Sequence, residues 1–339
     1  MNKIGLVGYS CATGLGELNR QLARYLPITH WLVYPHRSKK LIVPSSPHTV
    51  CRDGVLDQST IQDFVEQCDI ILFCETPYYS RLTEYCWQLS KRVVCVPMQE
   101  WMPTLSPNRT GWPFQVTKYI CPIKYTYDRF HTQLPCSYVN WPIDTNRFSF
   151  RERKVCNRFV FINGNGGYQN RKGIDTIEEL IHLWPEIPLT VFSQATQHLT
   201  NLVRNKPNIR LLREVASNDL LYSPEYGDVL LCPHSMDGLA LEPREAASAG
   251  MPIVVTDGPI WQELPAIARV KSTVSSIHTR SAVEWYSPDA TDLATVCRSL
   301  LGQDISTESV RVREWAEELS WNILANKVYE EVVCSRKEE

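Results

Sequence analysis

Short apolar runs recur along this sequence, each followed by a polar loop and a helical stretch. This alternation limits the fold more than any other feature. Ile4–Val7, Trp31–Tyr34, Asp69–Cys74, Arg92–Val96 and Lys118–Cys121 read as buried strands. So do Phe159–Ile162, Leu189–Phe192, Ile209–Leu212, Val229–Cys232 and Ile253–Thr256. Between them lie helical patterns, of which Ile174, Ile177, Leu180, Ile181 and Trp184 mark one apolar face. Strands that are apolar throughout need cover on both faces, and strand–helix alternation supplies it as parallel sheets flanked by helices. The pattern runs through twice, broken by the charged, irregular seam WPIDTNRFSFRERKVCN at residues 141–157. The expected fold is α/β, with two doubly wound Rossmann-like domains at residues 1–147 and 148–318. Residues 319–339 form a last segment in which Trp321, Leu324, Ala325, Val328 and Val332 share a helical face, either packed on its own domain or crossing back to the first. Ligands of such sheets bind beyond the carboxyl ends of the strands, so two facing domains would share one cleft.

Bulk composition narrows the class. The 339-residue length suits two domains better than one core. With 43% hydrophobic and 21% charged residues, the composition is globular rather than disordered. No apolar run approaches the roughly 18 residues that a membrane-crossing helix needs. The opening MNKIGLVGYS enters a strand at once, without the apolar region of a secretory leader. The 12 cysteines are scattered from Cys11 to Cys334 without a C-x-x-C pair, and Cys74, Cys95 and Cys232 fall inside strands. They read as small buried hydrophobes in a reducing, cytoplasmic setting, with no zinc-site spacing among them. A formal net charge of −2 argues against a protein that coats nucleic acid.

Three loops carry residues suited to binding an anion or a sugar. After the first strand, Gly14 and Gly16 flank Leu15 ahead of a helix expected from about Glu17. Glycines let the backbone approach a ligand and a helix N-terminus favours anions, but a plain tight turn reads equally well, since the third glycine of G-x-G-x-x-G is replaced by Asn19. In FINGNGGYQNRKGID, a flexible polar loop containing Asn165 leads to Arg171 and Lys172 beside a helix start. Two cations there suit a diphosphate, although a solvated basic turn is the simpler reading of that loop alone. The segment DVLLCPHSMDGLALEPREAASAGMPIVVTDGPIWQE, residues 228–263, sets Asp237 and Glu245 astride a loop and the start of a small-residue helix. Glu245, expected in the first helical turn, can accept two ribose hydroxyls, and Asp237 can meet sugar hydroxyls. The N–H groups of Gly238, Leu239 and Ala240 can point at phosphate or sugar oxygens. The simpler reading is a carboxylate complementing the helix dipole, and Glu242 is a further capping candidate.

At these residues the chain resembles the retaining glycosyltransferases of family 4, which have the two-domain GT-B architecture. Their donor motif E-x(7)-E, within E-P-F-G-L-x-x-L-E-A-x-A-x-G-x-P-V, is matched by D-G-L-A-L-E-P-R-E-A-A-S-A-G-M-P-I-V. WPIDTNRFSF is similar to the family's N-G-V-D-x-x-x-F linker and RKGID to its K-G-x-D element. GLGELNRQLARYL resembles its first loop and helix, and SWNILANKVYEEV its C-terminal helix. The resemblance implies that Lys172 contacts the donor diphosphate, Glu245 the nucleotide ribose and Asp237 the transferred sugar, with Gly16 near the phosphates. The family's arginine five residues before that lysine is here Gly167, for which Arg171 can substitute, and its first glutamate is here the shorter Asp237.

The implied activity is retaining transfer of a hexosyl or pentosyl unit from a nucleoside-diphosphate sugar, with a UDP-sugar favoured, to an acceptor hydroxyl. No cofactor is called for, and the enzymes resembled need no metal at this site. Lys172 and Arg171 would stabilise the charge of the departing diphosphate. On the acceptor side Glu100 is the first candidate and Gln99 the second, with Trp101, Trp112 and Trp141 available to stack on a sugar ring or to pack in a core. The acceptor is open between a glycan, a lipid-linked glycan with peripheral membrane association, and a modified nucleic acid. Basic stretches at residues 34–40 and 118–129 are available to an anionic one. Alternatives are a sugar-nucleotide epimerase, a GT-B scaffold kept for binding or regulation, and a phage-type transferase acting on a modified DNA base. Oligomeric state is not addressed by the sequence.

Overall fold

The computed structural model describes residues 2–35, 39–51, 57–77, 80–102, 116–164, 170–194, 197–213, 218–278 and 281–334. The chain divides into two compact units, one of residues 1–142, 280–282 and 321–339 and the other of residues 143–279 and 283–320.

The first unit is built on strands β1 (Ile4–Tyr9), β2 (Ile28–Tyr34), β3 (His48–Val50), β4 (Ile70–Glu75), β5 (Arg92–Pro97), β6 (Lys118–Cys121) and β7 (Cys136–Tyr138). They form a 7-stranded sheet in the order β3-β2-β1-β4-β5-β6-β7, with every pairing parallel. The order reverses between β1 and β4, which is the switch point of a doubly wound sheet. Helices α1 (Gly14–Tyr25), α2 (Gln58–Glu66), α3 (Ser80–Gln88) and α4 (Lys124–Phe130) follow its strands. The apolar run of β4 is wholly buried along Ile70, Ile71, Leu72, Phe73 and Cys74, as a strand covered on both faces must be. Its core packs Val7, Leu32, Ile71, Phe73 and Val93 against Phe64, Val65 and Leu82 from the helices.

The second unit carries β8 (Phe159–Gly164), β9 (Leu189–Ser193), β10 (Ile209–Leu212), β11 (Val229–Cys232), β12 (Ile253–Thr256) and β13 (Ala268–Val270). They make a 6-stranded parallel sheet in the order β10-β9-β8-β11-β12-β13, again reversing beside its first strand. β14 (Ser272–Ile277) and β15 (Glu284–Pro288) form a separate antiparallel hairpin. The helices are α5 (Ile174–Leu183), α6 (Gln197–Val203), α7 (Leu241–Ser248), α8 (Ala290–Leu300) and α9 (Ser306–Glu318). Ile174, Ile177, Leu180 and Ile181 of α5 enter one core with Phe159, Val191, Val229 and Leu293.

The division falls at Pro142, ahead of residue 147. Ile143 already bonds the second unit, its N–H donating to the Leu319 carbonyl at 2.8 Å, and it packs with Ala247, Val312 and Ala316. The last helix, α10 (Trp321–Val333), groups with the first unit. Trp321 stacks on Tyr25 at 5.1 Å between ring centroids, meets Trp141 edge-on at 5.7 Å, and donates from its indole N–H to Gln21 at 3.0 Å. Arg92 donates to the carbonyls of Val332, Val333 and Cys334, closing the helix end where carbonyls lack partners. Lys118 pairs with Glu331 at 2.5 Å. Among the described residues no helix is long and apolar enough to cross a membrane.

Candidate functional site

Two loops of the second unit leave adjacent strands at its switch point. One leaves β8 and ends in Asn170, Arg171, Lys172 and Gly173; the other leaves β11 and runs from Pro233 to Ala240. Gly173 has φ 78°, and a Cβ there would lie 1.8 Å from the Pro233 carbonyl oxygen. Only glycine permits that approach. The Ser235 N–H seals it by donating to the Arg171 carbonyl at 2.8 Å. The two cations of the first loop are thereby set against the acids of the second.

The acids do not stand as their spacing suggested. Asp237 is turned inward. Its Oδ2 meets His234 Nδ1 at 2.9 Å and its Oδ1 accepts the Ala240 N–H at 3.0 Å. Burial raises its carboxyl, but the hydrogen bond and charge of His234, with Lys172 and Arg171, outweigh that and hold it well below the usual carboxylate range. This corrects one expectation: the Ala240 N–H, offered for a ligand oxygen, is already taken by Asp237. Ala240 itself is left-handed at φ 57° and ψ 52° and caps α7. Gly238 and Leu239 complete the loop as buried residues, and the Leu239 carbonyl accepts Arg244 Nε at 3.1 Å.

Glu242, not Glu245, occupies the first turn of α7. Because α7 begins at Leu241, Glu245 lies in the second turn, so the helix-dipole reading passes to Glu242. Lys172 Nζ donates to Glu242 Oε2, and His234 Nε2 lies 3.7 Å from the same oxygen. Glu245 is held separately, its Oε2 accepting the Tyr222 hydroxyl at 2.8 Å and its Oε1 lying 3.6 Å from Arg147. Burial, then the charges of Glu245 and Glu242, push the Tyr222 phenol well above its usual value, so it remains a donor. Glu245 is thus held in a fixed frame by Tyr222 and Arg147, its side chain 12% exposed.

His234, Tyr222 and Arg147 escaped the sequence reading. Arg147 sits within the linker motif and His234 three positions before Asp237, so both were within reach; the Tyr222 partnership has no local signal. Asn165 lies outside the described residues, as do Gly167 and Trp112.

In the first unit the helix after β1 starts at Gly14 rather than near Glu17, because Thr13 caps it by accepting the Gly16 N–H at 3.1 Å. Gly16 is required by packing, since a Cβ there would lie 2.2 Å from the Cys11 carbonyl oxygen. Gln99 and Glu100 form a buried 3₁₀ turn just past β5. Glu75, ending β4, holds φ 73°, a strained value for a glutamate. Trp141 is wholly buried in the core against Trp321, which removes it from the sugar-stacking candidates, whereas Trp101 is 40% exposed.

No protein-family model matches the sequence, and no curated protein matches it either. Solved structures do resemble the fold. Sucrose-phosphate synthase from Thermosynechococcus elongatus aligns with a TM-score of 0.66 at 14% identity, over 97% of each chain. Anabaena HepE in complex with UDP aligns at 0.64 and 13%, over 97% of this chain and 98% of that one. WaaG, a glycosyltransferase involved in lipopolysaccharide biosynthesis, aligns at 0.63 and 14%, over 97% and 99%. The two Rossmann-like parallel-sheet units are the GT-B fold.

Proposed function

We propose that the protein is a glycosyltransferase that takes a sugar from a nucleoside-diphosphate donor and delivers it, with retention, to an acceptor hydroxyl. The observation that carries this reading is the placement of Lys172 against Glu242, and of Lys172 and Arg171 near Asp237, at the switch point of the second sheet. A cation beside carboxylates, at the place where doubly wound sheets bind ligands, suits a molecule with a diphosphate next to hydroxyl-bearing rings. The GT-B fold and the UDP carried by HepE support the same reading.

In this reading the diphosphate lies on Lys172 and Arg171, near the N-terminus of α5. Glu245, fixed by Tyr222 and Arg147, accepts the ribose hydroxyls. As the sugar–phosphate bond breaks, charge grows on the leaving diphosphate, and fixed cations stabilise it more in the transition state than in the ground state. The departing phosphate can take the proton of the incoming hydroxyl. A UDP-sugar is the first donor to try, and an acceptor glycan the first acceptor.

The test is a thermal-shift screen of UDP-, GDP- and ADP-sugars, followed by a turnover assay with any that stabilise the protein. Bound at 100 times its Kd, a donor adds about 2.7 kcal/mol. Glu245→Ala is expected to lose most donor affinity, and Lys172→Ala to lower the rate by about tenfold or more. Wild-type affinity and rate in both variants would remove the assignment. Donor binding without turnover on any acceptor would make the chain a binding protein.

A further inference from the structure

Asp237 and Glu242 differ in what they leave free for a ligand. Asp237, the residue whose spacing pointed to the sugar, has Oδ2 on His234 and Oδ1 on the Ala240 N–H, and its side chain is 11% exposed. Its effect is on the loop. The Ala240 N–H bond closes the turn that sets Ala240 left-handed, and α7 starts on the next residue. Glu242 is thereby carried in the first helical turn to the side of Lys172. Its side chain is 22% exposed. Only Oε2 is engaged, by Lys172 and at longer range by His234, and Oε1 makes no hydrogen bond to any described residue.

We infer that Glu242 is the specificity-determining carboxylate for the transferred sugar, accepting a sugar hydroxyl on Oε1 while Lys172 meets the adjoining phosphate. The inference rests on the donor-site reading above. In a sugar nucleotide the sugar carbon is bonded directly to a phosphate oxygen, so the groups recognising the two must be neighbours. Lys172 and Glu242 are in direct contact. A carboxylate beside the phosphate-binding cation costs affinity for the diphosphate, which it repels and whose cation it occupies. Such a group is useful where it gains a hydrogen bond from the sugar that a bare nucleotide cannot give. A site built to accept a hydroxyl rejects ligands lacking it, because its acceptor is left unpaired.

The experiment is calorimetric titration of the wild-type protein and Glu242→Gln with UDP, GDP and ADP and with UDP-glucose, UDP-galactose, UDP-N-acetylglucosamine, GDP-mannose and ADP-glucose. The readout is the ratio of nucleoside-diphosphate to sugar-nucleotide dissociation constants, with melting temperatures to confirm folding. The wild-type protein is expected to prefer one sugar nucleotide. In Glu242→Gln the bare diphosphate should bind a few-fold more tightly, because Lys172 is released, and the preference for the sugar should fall at least tenfold. If Glu242 serves only as a counter-ion, both ligands shift in parallel, the ratio stays at its wild-type value and the inference is overturned. It is also overturned if the wild-type protein shows no preference for any sugar nucleotide over its diphosphate. Failure of the wild-type protein to bind any of these nucleotides is a different outcome, since it removes the donor-site reading itself.

Discussion

An aspartate reaches one methylene less far than a glutamate, and at position 237 that length keeps the carboxylate among groups of its own loop. With His234 Nδ1 at 2.9 Å and the Ala240 N–H at 3.0 Å, Asp237 is a buried ion whose charge is matched locally. Its stabilising effect has a definite pH dependence. The folded-state carboxyl is depressed below the ordinary value near 3.9, so its contribution is complete above that value and is lost as pH falls towards the folded one. Asp237→Asn should therefore cost about 2–3 kcal/mol at pH 7. The gap to wild type should narrow below about pH 4, as measured by urea denaturation across pH. A gap that stays constant into acid would show that the charge of Asp237 does not support the fold. Spacing singled out this residue but not the direction of its side chain. Its partner His234 lies three positions away, and the competing cation Lys172 is placed by a contact spanning 70 residues between it and Glu242.

At the scale of elements, the approach of the β8–α5 and β11–α7 loops is the feature on which the site depends, and one glycine permits it. Gly173→Ala would place a methyl group against the Pro233 carbonyl and strain a left-handed backbone. The expected cost is about 2–4 kcal/mol, with loss of donor-induced stabilisation. Gly164 is a control, also left-handed at φ 54° but with nothing within 4 Å among the described residues. Gly164→Ala should cost only about 1 kcal/mol. Equal denaturation midpoints for the two variants would show that loop contact is unimportant. Strands at the middle of each sheet were legible because they are apolar on both faces. The edge strand β3 and the hairpin strand β14 were not. His48–Val50 has no fully buried residue, and Ser272–Ile277 is exposed along nearly its whole length, so neither leaves a hydrophobic signature. The start of α1 was misplaced because Thr13 caps it from within a loop whose glycines read as a turn.

At the scale of the whole molecule, the first unit contains the start of the chain and its last helix. Trp321 joins α10 to Tyr25, Gln21 and Trp141. Trp321→Ala is expected to destabilise the first unit by about 3–5 kcal/mol. Hydrogen exchange would read this as lost protection in β1 and β4 with β8 and β11 unchanged. Equal loss in both sheets, or none in either, would contradict the assignment of the helix to the first unit. The apolar face of α10 was readable from its spacing, whereas its partner was not, since periodicity marks a buried face without naming what buries it.

The return of α10 also orders events during synthesis. The helix α10 is made ~180 residues after the last strand of the sheet it groups with, a delay of about 10–40 s at usual elongation rates. For that interval the surfaces destined for Trp321 have no cover from their own chain. The second unit, whose residues 143–279 and 283–320 all precede α10, can close before the first is finished. A released chain truncated after Ser320 is the species in which that unfinished surface can be captured.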